Sequence, residues 1–566
     1  MNNKRNQSLL QLGLVIGIAV FLNILGNVFF THFDLTEDKR FTLTEPTRKM
    51  LKNLDAEVYI NVLLAGEFNA GFKRLQRSVT EMLDDFRSET GFITYTYTNP
   101  GAGTVDEINA RRTELAQEGI SPTNLRIKTT SGTEEKFIYP YAKISYKGRT
   151  AVVDLLDEEA VGVSPDEKLN TSISQLEYKF ANAFHKLQSG AKEVIAFTVG
   201  HGELSERERA DFQRSLRAYY DVGTFNLDSA IVIPSDIKTL IVAKPRGPFS
   251  DRDLFLMDQY VMNGGTVLWL IDPLNVELDS LRNKTSYVAR DYPLNINDML
   301  FKYGARVNPD LVLDLQCSKI PMVIDQKGAM DLFNWYYFPI IIPTSDHPLV
   351  RNLDGINLYF PASIDTIKTK TPVKKTVLLA SSDHSKLQPN ITRLNFEILR
   401  YGDEIAASFD QKQIPVAVLM EGVFPSSFEN RVTQEMQDGL QQINQAFKVQ
   451  SVPTRMVVVS DGDVARNFLN PKTGAPLALG FNPIDRFTYS NKDFLLNAVE
   501  YLRDDAGIIA ARGREVKLRL LDTQKATQEK TFWTLLNIVG PLVLLGIFGI
   551  VYNWLRKRKY AGMIKS

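Results

Sequence analysis

The sequence predicts an α/β protein whose large body lies between two transmembrane helices. Three observations support this fold class. Apolar strands alternate with amphipathic helices through the middle of the chain, a shorter β-α-β pattern precedes them, and one apolar run lies at each end of the 566 residues. Alternating apolar strands and helices are typical of a parallel, doubly wound sheet. Each terminal run has about the 20 residues that a helix needs to cross a bilayer.

The two apolar runs, residues 9–30 and 531–554, predict the topology. Lys4 and Arg5 precede the first run, and four consecutive basic residues at 556–559 follow the second. Basic residues beside a membrane span favour the cytoplasmic side. We therefore expect both termini to be cytoplasmic and the body to lie outside. No small-residue cleavage site follows the first run, which predicts an uncleaved signal anchor.

The first part of the body shows the patterns of a small α/β domain. Thr44 and Pro46 are typical of a helix start, and we expect that helix to end near Asn53. Residues 57–64 and 92–98 have the Val, Ile and Tyr content of strands. Between them, apolar residues recur on one face of a helix over 72–89. Three β-rich segments follow at 125–129, 136–146 and 150–155, then a loop at 157–168 and a helix at 172–187.

The next part predicts the parallel sheet. Its expected strands are residues 194–199, 239–243 and 266–271, and its expected helices are residues 205–220 and 250–262. Residues 414–421 and 455–460 are predicted as further strands that complete this sheet, followed by a helix over 491–503. The intervening stretch is irregular and β-leaning, and its pattern predicts no strand order.

These patterns divide the chain into eight segments. They are a cytoplasmic tail with an N-terminal signal anchor (1–31), an N-terminal periplasmic α/β domain (32–170), the parallel-sheet α/β domain (171–314), a β-rich insertion (315–413), the continuation of the α/β domain (414–512), a linker (513–530), a C-terminal transmembrane helix (531–555) and a basic cytoplasmic tail (556–566).

The charge balance excludes one class of partner. The chain has 66 basic and 66 acidic residues, but seven of the basic ones lie in the two tails, which contain no acid. The body is therefore acidic, with a net charge of about −7. Nucleic-acid binding needs a basic surface, so we expect no nucleic-acid partner. The single cysteine, Cys317, forms no intrachain disulfide and is interpreted as a small buried residue.

One candidate ligand-binding loop is Gly200-His201-Gly202-Glu203, directly after a predicted strand. Ligands of parallel sheets bind beyond the carboxyl ends of the strands, and the glycines permit close backbone approach. His201 and Glu203 are suited to a metal ligand, an acid/base pair or a polar binding edge. The alternative is a tight turn in which Glu203 favours the start of the following helix.

Three aspartates form the other candidate loops at the same predicted edge. Asp272 ends one strand, and Asp461 and Asp463 follow another. They could bind a cation or ligand, or they could end a strand and cap a helix. A metal site needs three or more ligands, and the sequence contains no HExxH motif or Cys/His cluster. We therefore predict no metal site, no cofactor and no catalytic residue.

Missing motifs make the protein dependent on partners. The sequence has neither the G-x-x-x-x-G-K-[ST] phosphate loop nor a G-x-S-x-G elbow. Two spans also cannot form a conduction pathway alone. Asn23, Asn27 and Asn537 are polar residues within the spans, where they could bond to a neighbouring membrane helix or have no function.

Several segments together resemble one family. They are Asp34-Leu35-Thr36 with Arg40-Phe41-Thr42-Leu43-Thr44, residues 197–203, residues 264–273, Asp461-Gly462-Asp463 and the Arg-rich end. In this order and with two anchors, the chain resembles the auxiliary components of gliding-motility ABC transporters in Bacteroidetes, the GldG family. The resemblance implies an inner-membrane protein with a periplasmic body and a separate multi-span permease and cytoplasmic ATPase.

The resemblance also implies a central domain similar to the class I glutamine-amidotransferase fold, without its activity. That activity needs a cysteine at a strand-to-helix elbow, and Cys317 has no flanking glycine. The function expected from the resemblance is a non-catalytic subunit whose body binds a periplasmic protein or an envelope glycan. The alternatives are an enzyme acting on envelope polymers, with His201, Glu203 and Asp461 or Asp463 converging, and a purely structural tether of the motility machinery.

Overall fold

The computed structural model describes residues 13–14, 16–18, 21, 42–118, 120–129, 132–156, 165–189, 192–282, 284–324, 328–391, 393–399, 406–434, 436, 438–439, 446–513 and 529–561. The chain divides into two units, Met1–Glu515 and Val516–Ser566. Most of the predicted first span lies outside the described residues. Asn23 and Asn27 also lie outside them.

The first part of the larger unit is a small α/β region with a sheet and packed helices. Its described elements, in chain order, are helix Glu45–Lys52, β1 (Val58–Val62), helix Ala70–Glu89, β2 (Ile93–Tyr97), helix Val105–Gln117, β3 (Thr123–Thr129), β4 (Gly132–Ile138), β5 (Tyr141–Tyr146) and β6 (Arg149–Asp154). Four strands form a sheet in the order β2-β1-β5-β6, with β1 and β2 parallel and the other pairs antiparallel. Strands β3 and β4 form a separate hairpin.

Helix Ala70–Glu89 covers one face of this sheet, as its apolar spacing predicts. Asn69 caps its start by accepting a hydrogen bond from the Phe72 N–H at 3.0 Å. Leu75, Val79 and Leu83 are fully buried in the same core as the strand residues. Two further helices follow, Pro165–Ser174 and Leu176–Ser189. The loop predicted over 157–168 is therefore wrong from Pro165 onward, because proline is well tolerated in the first turn of a helix.

The second part is built on a seven-stranded sheet. Its first strands are β7 (Val194–Val199), β8 (Asp221–Asn226), β9 (Ile237–Ala243) and β10 (Thr266–Leu270). Nine further strands follow: β11 (Leu274–Asn275), β12 (Ser286–Val288), β13 (Arg290–Asp291), β14 (Ala305–Val307), β15 (Asp310–Asp314), β16 (Cys317–Val323), β17 (Met330–Ile341), β18 (Ile356–Asn357) and β19 (Ile364–Thr366). The last are β20 (Val373–Ala380), β21 (Ser385–Pro389), β22 (Arg393–Asn395), β23 (Pro415–Gly422), β24 (Thr454–Val459), β25 (Phe481–Asn482) and β26 (Phe487–Thr488).

The sheet order is β20-β23-β24-β10-β9-β7-β8. Strands β24, β10, β9, β7 and β8 are parallel, whereas β23 runs antiparallel to both of its neighbours. The mixed α/β architecture with a parallel sheet is thus confirmed. Strand β20 comes from the segment predicted as a β-rich insertion and forms one edge of this sheet. The predicted strands near 414 and 455 also join it.

Both faces of the sheet are buried. Alternate residues of each strand point to opposite faces, so Val267 and Trp269 lie in one core and Leu268 and Leu270 in the other. Helices Asp251–Met262 and Asn297–Tyr303 contribute to the first core. Helices Ala210–Arg217 and Asn491–Arg503 contribute to the second. Helices on both faces explain why these strands have continuous apolar sequences.

The irregular stretch forms short antiparallel pairs around this sheet. Strand β15 pairs with β21, β14 with β19, β12 with β22 and β11 with β13. Strands β16, β17 and β18 form a three-stranded sheet, and β25 pairs with β26. A separate apolar core lies here, with Trp335 and Leu394 fully buried. Short 3-10 turns cover Leu278–Leu281, Phe396–Leu399, Asp463–Ala465 and Ile508–Gly513.

The smaller unit contains the helix Lys530–Ala561. Its stretch Lys530–Arg558, with 29 residues, is long and apolar enough to cross a membrane. Pro541 lies inside this helix, as is common in membrane-spanning helices. The predicted C-terminal span is therefore consistent with the structure.

Candidate functional site

The candidate site residues lie at one edge of the seven-stranded sheet. Strands β7, β9, β10 and β24 are parallel, so the residues after each strand meet at the carboxyl edge. Two groups form there. The histidine cluster consists of His201, Glu203, Asp228 and Asp253. The lysine cluster consists of Lys244, Asp272, Glu277, Asp461 and Asp463.

Backbone hydrogen bonds and two glycines fix the turn after β7. Gly200 and Gly202 have φ angles of +121° and +74°, which residues with a side chain rarely adopt. The carbonyl oxygen of His201 accepts hydrogen bonds from the N–H groups of Arg246 and Gly247, at 2.8 and 2.7 Å. The His201 N–H donates to Glu203 Oε2 at 2.7 Å. The loop after β9 thus fixes the loop after β7.

This geometry corrects the alternative interpretation of Glu203. The helix predicted from residue 205 begins at Ala210, and residues 206–209 are turns. The Glu203 carboxylate accepts a hydrogen bond from the His201 N–H within its own turn, and that helix begins seven residues after Glu203. The sequence did not show this because residues 205–209 have the composition of a helix.

The His201 ring is almost completely buried, with an exposed fraction of 4%. It stacks on the Phe249 ring at a centroid distance of 4.0 Å. Its Nε2 lies 3.3 Å from Asp253 Oδ2 and 3.8 Å from Asp228 Oδ1. Its Nδ1 lies 3.6 Å from Glu203 Oε1. One imidazole therefore lies among three carboxylates.

The carboxylates set the protonation of this cluster. Burial acts to lower the pKa of His201, but Glu203 and Asp253 outweigh it, and the pKa of His201 ends above its usual value. Burial acts to raise the pKa of Glu203, but His201 and backbone N–H groups outweigh it, and that pKa ends below its usual value. The arrangement strongly favours positive charge at the position between the carboxylates.

The lysine cluster is organised around one buried ammonium group. Lys244 follows β9 with a φ of +54°, and its side chain is fully buried. Its Nζ lies 2.5 Å from Asp463 Oδ2, 3.1 Å from Asp272 Oδ2 and 3.6 Å from Glu277 Oε1. Burial lowers the pKa of Lys244, but the carboxylates outweigh it, so its pKa lies above the usual range.

Backbone groups complete the lysine cluster. The Gly462 N–H donates to Asp272 Oδ1 at 2.5 Å. Asp461 accepts from the N–H groups of Tyr359 and Asp463, at 2.7 and 2.8 Å. Burial raises the pKa values of both Asp272 and Asp461. Lys244 packs directly against Gly462, where an added Cβ would lie 2.5 Å from the Lys244 Cβ.

The predicted site residues thus fall into two groups at one edge. His201 and Glu203 belong to the histidine cluster, and Asp272, Asp461 and Asp463 belong to the lysine cluster. Within the described part of the chain, no hydrogen bond or ion pair joins the first pair to these aspartates. Arg246 bridges the two clusters. Its guanidinium donates to the Gly202 carbonyl at 3.0 Å and lies 3.6 Å from Glu277 Oε1.

Sequence reasoning did not single out four members of these clusters, which are Lys244, Glu277, Asp253 and Asp228. Lys244 is a lone charge at the end of a buried strand, and that position was an available signal. Asp253 is the last residue of a Ser-x-x-Asp pattern, and the structure shows the corresponding capping box with Ser250. Asp228 follows β8, a strand that the sequence pattern did not predict.

Cys317 is partly buried, whereas the sequence predicts a small buried residue. It begins β16 and is paired opposite Pro339, so it does not lie at a strand-to-helix elbow. Burial raises the pKa of its thiol to about 12, which keeps it protonated and poorly nucleophilic. Asn537 lies within helix Lys530–Ala561.

Comparison with known proteins decides the family. Residues 192–498, more than half of the chain, match the family described as an ABC-type uncharacterized transport system, auxiliary component. The chain belongs to this family. The matched region contains the whole seven-stranded sheet and both clusters. Residues 37–145 match a separate domain of unknown function. A transport-system auxiliary family is consistent with a protein that is not an enzyme.

Individual relatives and solved structures say less about the function than the family match does. An uncharacterized protein of Borreliella burgdorferi is 21% identical over 99% of this chain and 100% of its own length. The mmIFT52 N-terminal domain has 12% identity and a TM-score of 0.30, covering 55% of this chain and 97% of that domain. The exo-β-1,4-mannosidase Op5Man5 from Opitutaceae bacterium strain TAV5 has 13% identity and a TM-score of 0.19, covering 53% of this chain and 35% of that enzyme. Neither solved structure is similar enough to inform the function.

Proposed function

We propose that this protein is a non-catalytic auxiliary subunit of an ABC transporter, anchored in the membrane and working with a separate permease and ATPase. The observation that carries the proposal is the family match over residues 192–498. The apolar helix Lys530–Ala561 supports a membrane location. The sequence has no phosphate loop of the P-loop ATPases, so the energy of ATP hydrolysis has to come from a partner.

The proposed topology has two spans in a bacterial inner membrane, with both termini cytoplasmic and the body periplasmic. The basic residues that flank both apolar runs support this orientation. Asn23, Asn27 and Asn537 are the proposed contacts with the permease, because a polar side chain in lipid favours a hydrogen-bonding partner. The eight-segment division of the chain is retained as part of the same proposal.

The proposed ligand of the body is a periplasmic protein or an envelope glycan, bound at the carboxyl edge. Around the two buried clusters, Arg246, Glu277 and Arg466 keep 31%, 34% and 38% of their side-chain surface exposed. These alternating charges are suited to polar and hydrogen-bonding ligands. The loops of His201, Glu203, Asp272, Asp461 and Asp463 would position this rim, since their side chains are largely buried.

The finer assignment to gliding motility, and to the amidotransferase-like fold, rests on the sequence resemblance. The parallel strands β24, β10, β9, β7 and β8, with helices on both faces, are compatible with such a fold. The motility assignment predicts that deleting the gene in a gliding bacterium abolishes spreading on agar. Normal spreading of the deletion strain would contradict it without affecting the transporter assignment.

Co-purification tests the transporter assignment. We expect the full-length protein, tagged at one terminus and solubilised in mild detergent, to carry a multi-span permease and an ABC ATPase in fixed ratio. An unrelated two-span protein with the same tag is the control. Recovery of neither subunit above this control would refute the proposal.

Exchanging the anchors tests how the subunits contact each other. We expect the complex to dissociate when both apolar runs are replaced by unrelated apolar helices of equal length, while the protein still reaches the membrane. A milder variant, Asn537→Leu, should weaken co-purification without affecting insertion. An intact complex after the double exchange would mean that the body makes the contact and that the spans are only tethers.

A further inference from the structure

We propose that the histidine cluster is a binding site for one divalent transition-metal ion of the Zn²⁺ or Mn²⁺ type, with His201, Asp228 and Asp253 as ligands. These residues come from the turn after β7, the turn after β8 and the first turn of helix Asp251–Met262. One ligand atom from each lies within 4.8 Å of the other two. The sequence predicts no such site, because its ligands are separated by 27 and 25 residues.

The distances between the three ligand atoms suit metal coordination after small movements of the side chains. Ligand bonds of about 2.0–2.2 Å place neighbouring ligand atoms of a tetrahedral site about 3.4 Å apart. His201 Nε2 and Asp253 Oδ2 are already 3.3 Å apart, and His201 Nε2 and Asp228 Oδ1 are 3.8 Å apart. The Asp228 side chain is 59% exposed and free to rotate by this difference. Gly200 makes room for it, since a Cβ there would lie 2.9 Å from Asp228 Oδ2.

The surroundings of His201 orient it as a metal ligand. Imidazole ligands usually direct their second nitrogen toward a carboxylate, which fixes the ring and the tautomer. Here Nδ1 faces Glu203 Oε1 at 3.6 Å, which leaves Nε2 toward the two aspartates. The Phe249 ring stacks against the imidazole and restricts its rotation. Glu203 is therefore a positioning residue, not a ligand.

Unpartnered buried atoms point independently to a missing cation. Asp253 Oδ1 is buried and accepts no hydrogen bond, and Glu203 Oε1 and His201 Nδ1 form no hydrogen bond and face each other at 3.6 Å. The side chains of Asp253 and Glu203 are each 2% exposed. Buried carboxylate oxygens without a partner are unfavourable unless an ion or proton neutralises them.

Neighbouring arginines do not supply that charge. Arg246 and Arg252 donate to the backbone carbonyls of Gly202 and Asp228. The buried Arg209 donates to the Leu204 carbonyl and lies over the Phe197 ring. None of these guanidinium groups forms an ion pair with Glu203, Asp228 or Asp253 in the described part of the chain, and Arg209 acts on Glu203 only at longer range. A protonated His201 would supply one positive charge to the two buried carboxylates, Glu203 and Asp253, while Asp228 is exposed to solvent.

The ligand set selects the class of ion. An imidazole nitrogen suits Zn²⁺ and other transition metals, while carboxylates also suit Mn²⁺. Mg²⁺ and Ca²⁺ prefer all-oxygen sites and should bind more weakly. A bound ion would tie together three segments of the carboxyl edge, and the site is independent of whether the protein is a transporter subunit.

Metal titration of the full-length protein tests the site. The protein carries a tag without histidines, is solubilised in detergent, stripped with a chelator and titrated calorimetrically with ZnCl₂, MnCl₂, MgCl₂ and CaCl₂. We expect one equivalent of Zn²⁺ or Mn²⁺ to bind at least tenfold more tightly than Mg²⁺ or Ca²⁺. Elemental analysis of the undialysed protein should find the same stoichiometry.

Substitutions locate the bound ion. Asp228→Asn removes an exposed ligand without disturbing the core and should weaken binding at least tenfold. Glu203→Gln should weaken it by about 10- to 100-fold through the orientation of His201. Asp279→Asn is the matched control, because Asp279 is also exposed, at 72%, and lies outside the cluster. Absence of stoichiometric binding, or an affinity unchanged by Asp228→Asn, would overturn the proposal, as would an equal loss with Asp279→Asn.

Discussion

The histidine cluster and the lysine cluster lie at the same sheet edge but balance their charges differently. In the lysine cluster, the fully buried Lys244 ammonium contacts Asp272, Asp463 and Glu277, and Arg466 reaches Asp463 from the rim at 3.4 Å. The histidine cluster has three carboxylates around one imidazole and no permanent cation among its described residues. Three cations, Lys244, Arg246 and Arg466, therefore face the four carboxylates of the lysine cluster, and burial raises the pKa of Asp461 and so favours its neutral form. This cluster is close to neutral without a bound ion, while the histidine cluster needs a proton or a bound ion.

This difference separates structural from binding roles. A self-neutralised buried network holds loops together and offers no free ligand. Removing one partner of such a network is strongly destabilising, because the other charge stays buried without compensation. A cluster with excess carboxylate gains from binding a cation instead. We therefore expect substitutions in the lysine cluster to affect folding and those in the histidine cluster to affect binding.

The largest expected effect is that of Lys244→Met. The substitution leaves Asp272 and Asp463 buried without their ammonium partner, so we expect the free energy of unfolding to fall by about 3–5 kcal/mol. Guanidinium denaturation of the detergent-solubilised chain measures it, because Trp269 is fully buried in the same sheet and its fluorescence reports unfolding.

Two further variants test the cause of this loss. Lys238→Met removes an exposed lysine from β9, the strand that Lys244 follows, and should change stability by less than about 0.5 kcal/mol. Lys244→Met combined with Asp463→Asn should recover part of the loss, since one uncompensated carboxylate is gone. If Lys244→Met costs less than about 1 kcal/mol, well below the range for a broken buried ion pair, the lysine cluster does not hold this edge together.

Gly462→Ala should have the next largest effect. The added Cβ would lie 2.5 Å from the Lys244 Cβ and 2.9 Å from its Cα, and this backbone cannot move away easily. We expect a loss of about 1–3 kcal/mol, typical of overpacking, in the same denaturation experiment. Gly223→Ala in β8 is the control, because nothing lies within 4 Å of its added Cβ. Equal stability of the two variants would show that the contact relaxes.

Asp461 should give the lysine cluster a dependence on pH. Burial raises its pKa well above the usual value, so the folded state binds a proton that the unfolded state has already lost. Its stabilising contribution is complete below the ordinary pKa of aspartate and is lost as pH rises through the folded pKa. Asp461→Asn cannot bind this proton, so the stability of this variant should depend less on pH. The variant should also be less stable by about 1 kcal/mol, because it loses one hydrogen-bond acceptor.

Comparing the two proteins at several pH values isolates this effect. The unfolding free energy of the wild type, minus that of Asp461→Asn, should fall as the pH rises above the ordinary pKa of aspartate. Asp272 also has a raised pKa, but it is present in both proteins and largely cancels. Parallel stability curves would mean that Asp461 is ionised in the folded protein at neutral pH.

Local patterns predicted much of this architecture. Apolar runs located β7, β9 and β10, and the spacing of Ser250 and the apolar residues after it located the helix Asp251–Met262. Pairings between distant segments were not predictable. The antiparallel pair of β15 and β21, for example, joins residues 71 to 79 positions apart. Strand β8 lies at the sheet edge beside β7, where each of its residues is at least partly exposed. It therefore has too few apolar residues to stand out in the sequence.

Local patterns likewise indicated only some residues of the candidate site. The predicted residues His201, Glu203, Asp272, Asp461 and Asp463 do lie at one edge of the sheet, since sheet topology brings strand ends together. Their partners were not predicted. Asp253 has a local role as a capping residue, which concealed its approach to His201, and the positive φ of Lys244 that turns its side chain inward has no sequence signal.

The smallest expected effect, that of Asp228→Asn without metal, separates the two clusters most directly. Removing an exposed carboxylate from a cluster that already has excess negative charge should change the unfolding free energy by less than about 0.5 kcal/mol. With Zn²⁺ in excess, the wild type should gain stability because the ion binds only the folded state, and the variant should gain less. The measurement is the unfolding midpoint of both proteins, with chelator and with Zn²⁺. A loss of several kcal/mol in chelator would mean that Asp228 is structural, and the contrast with Lys244 would then disappear.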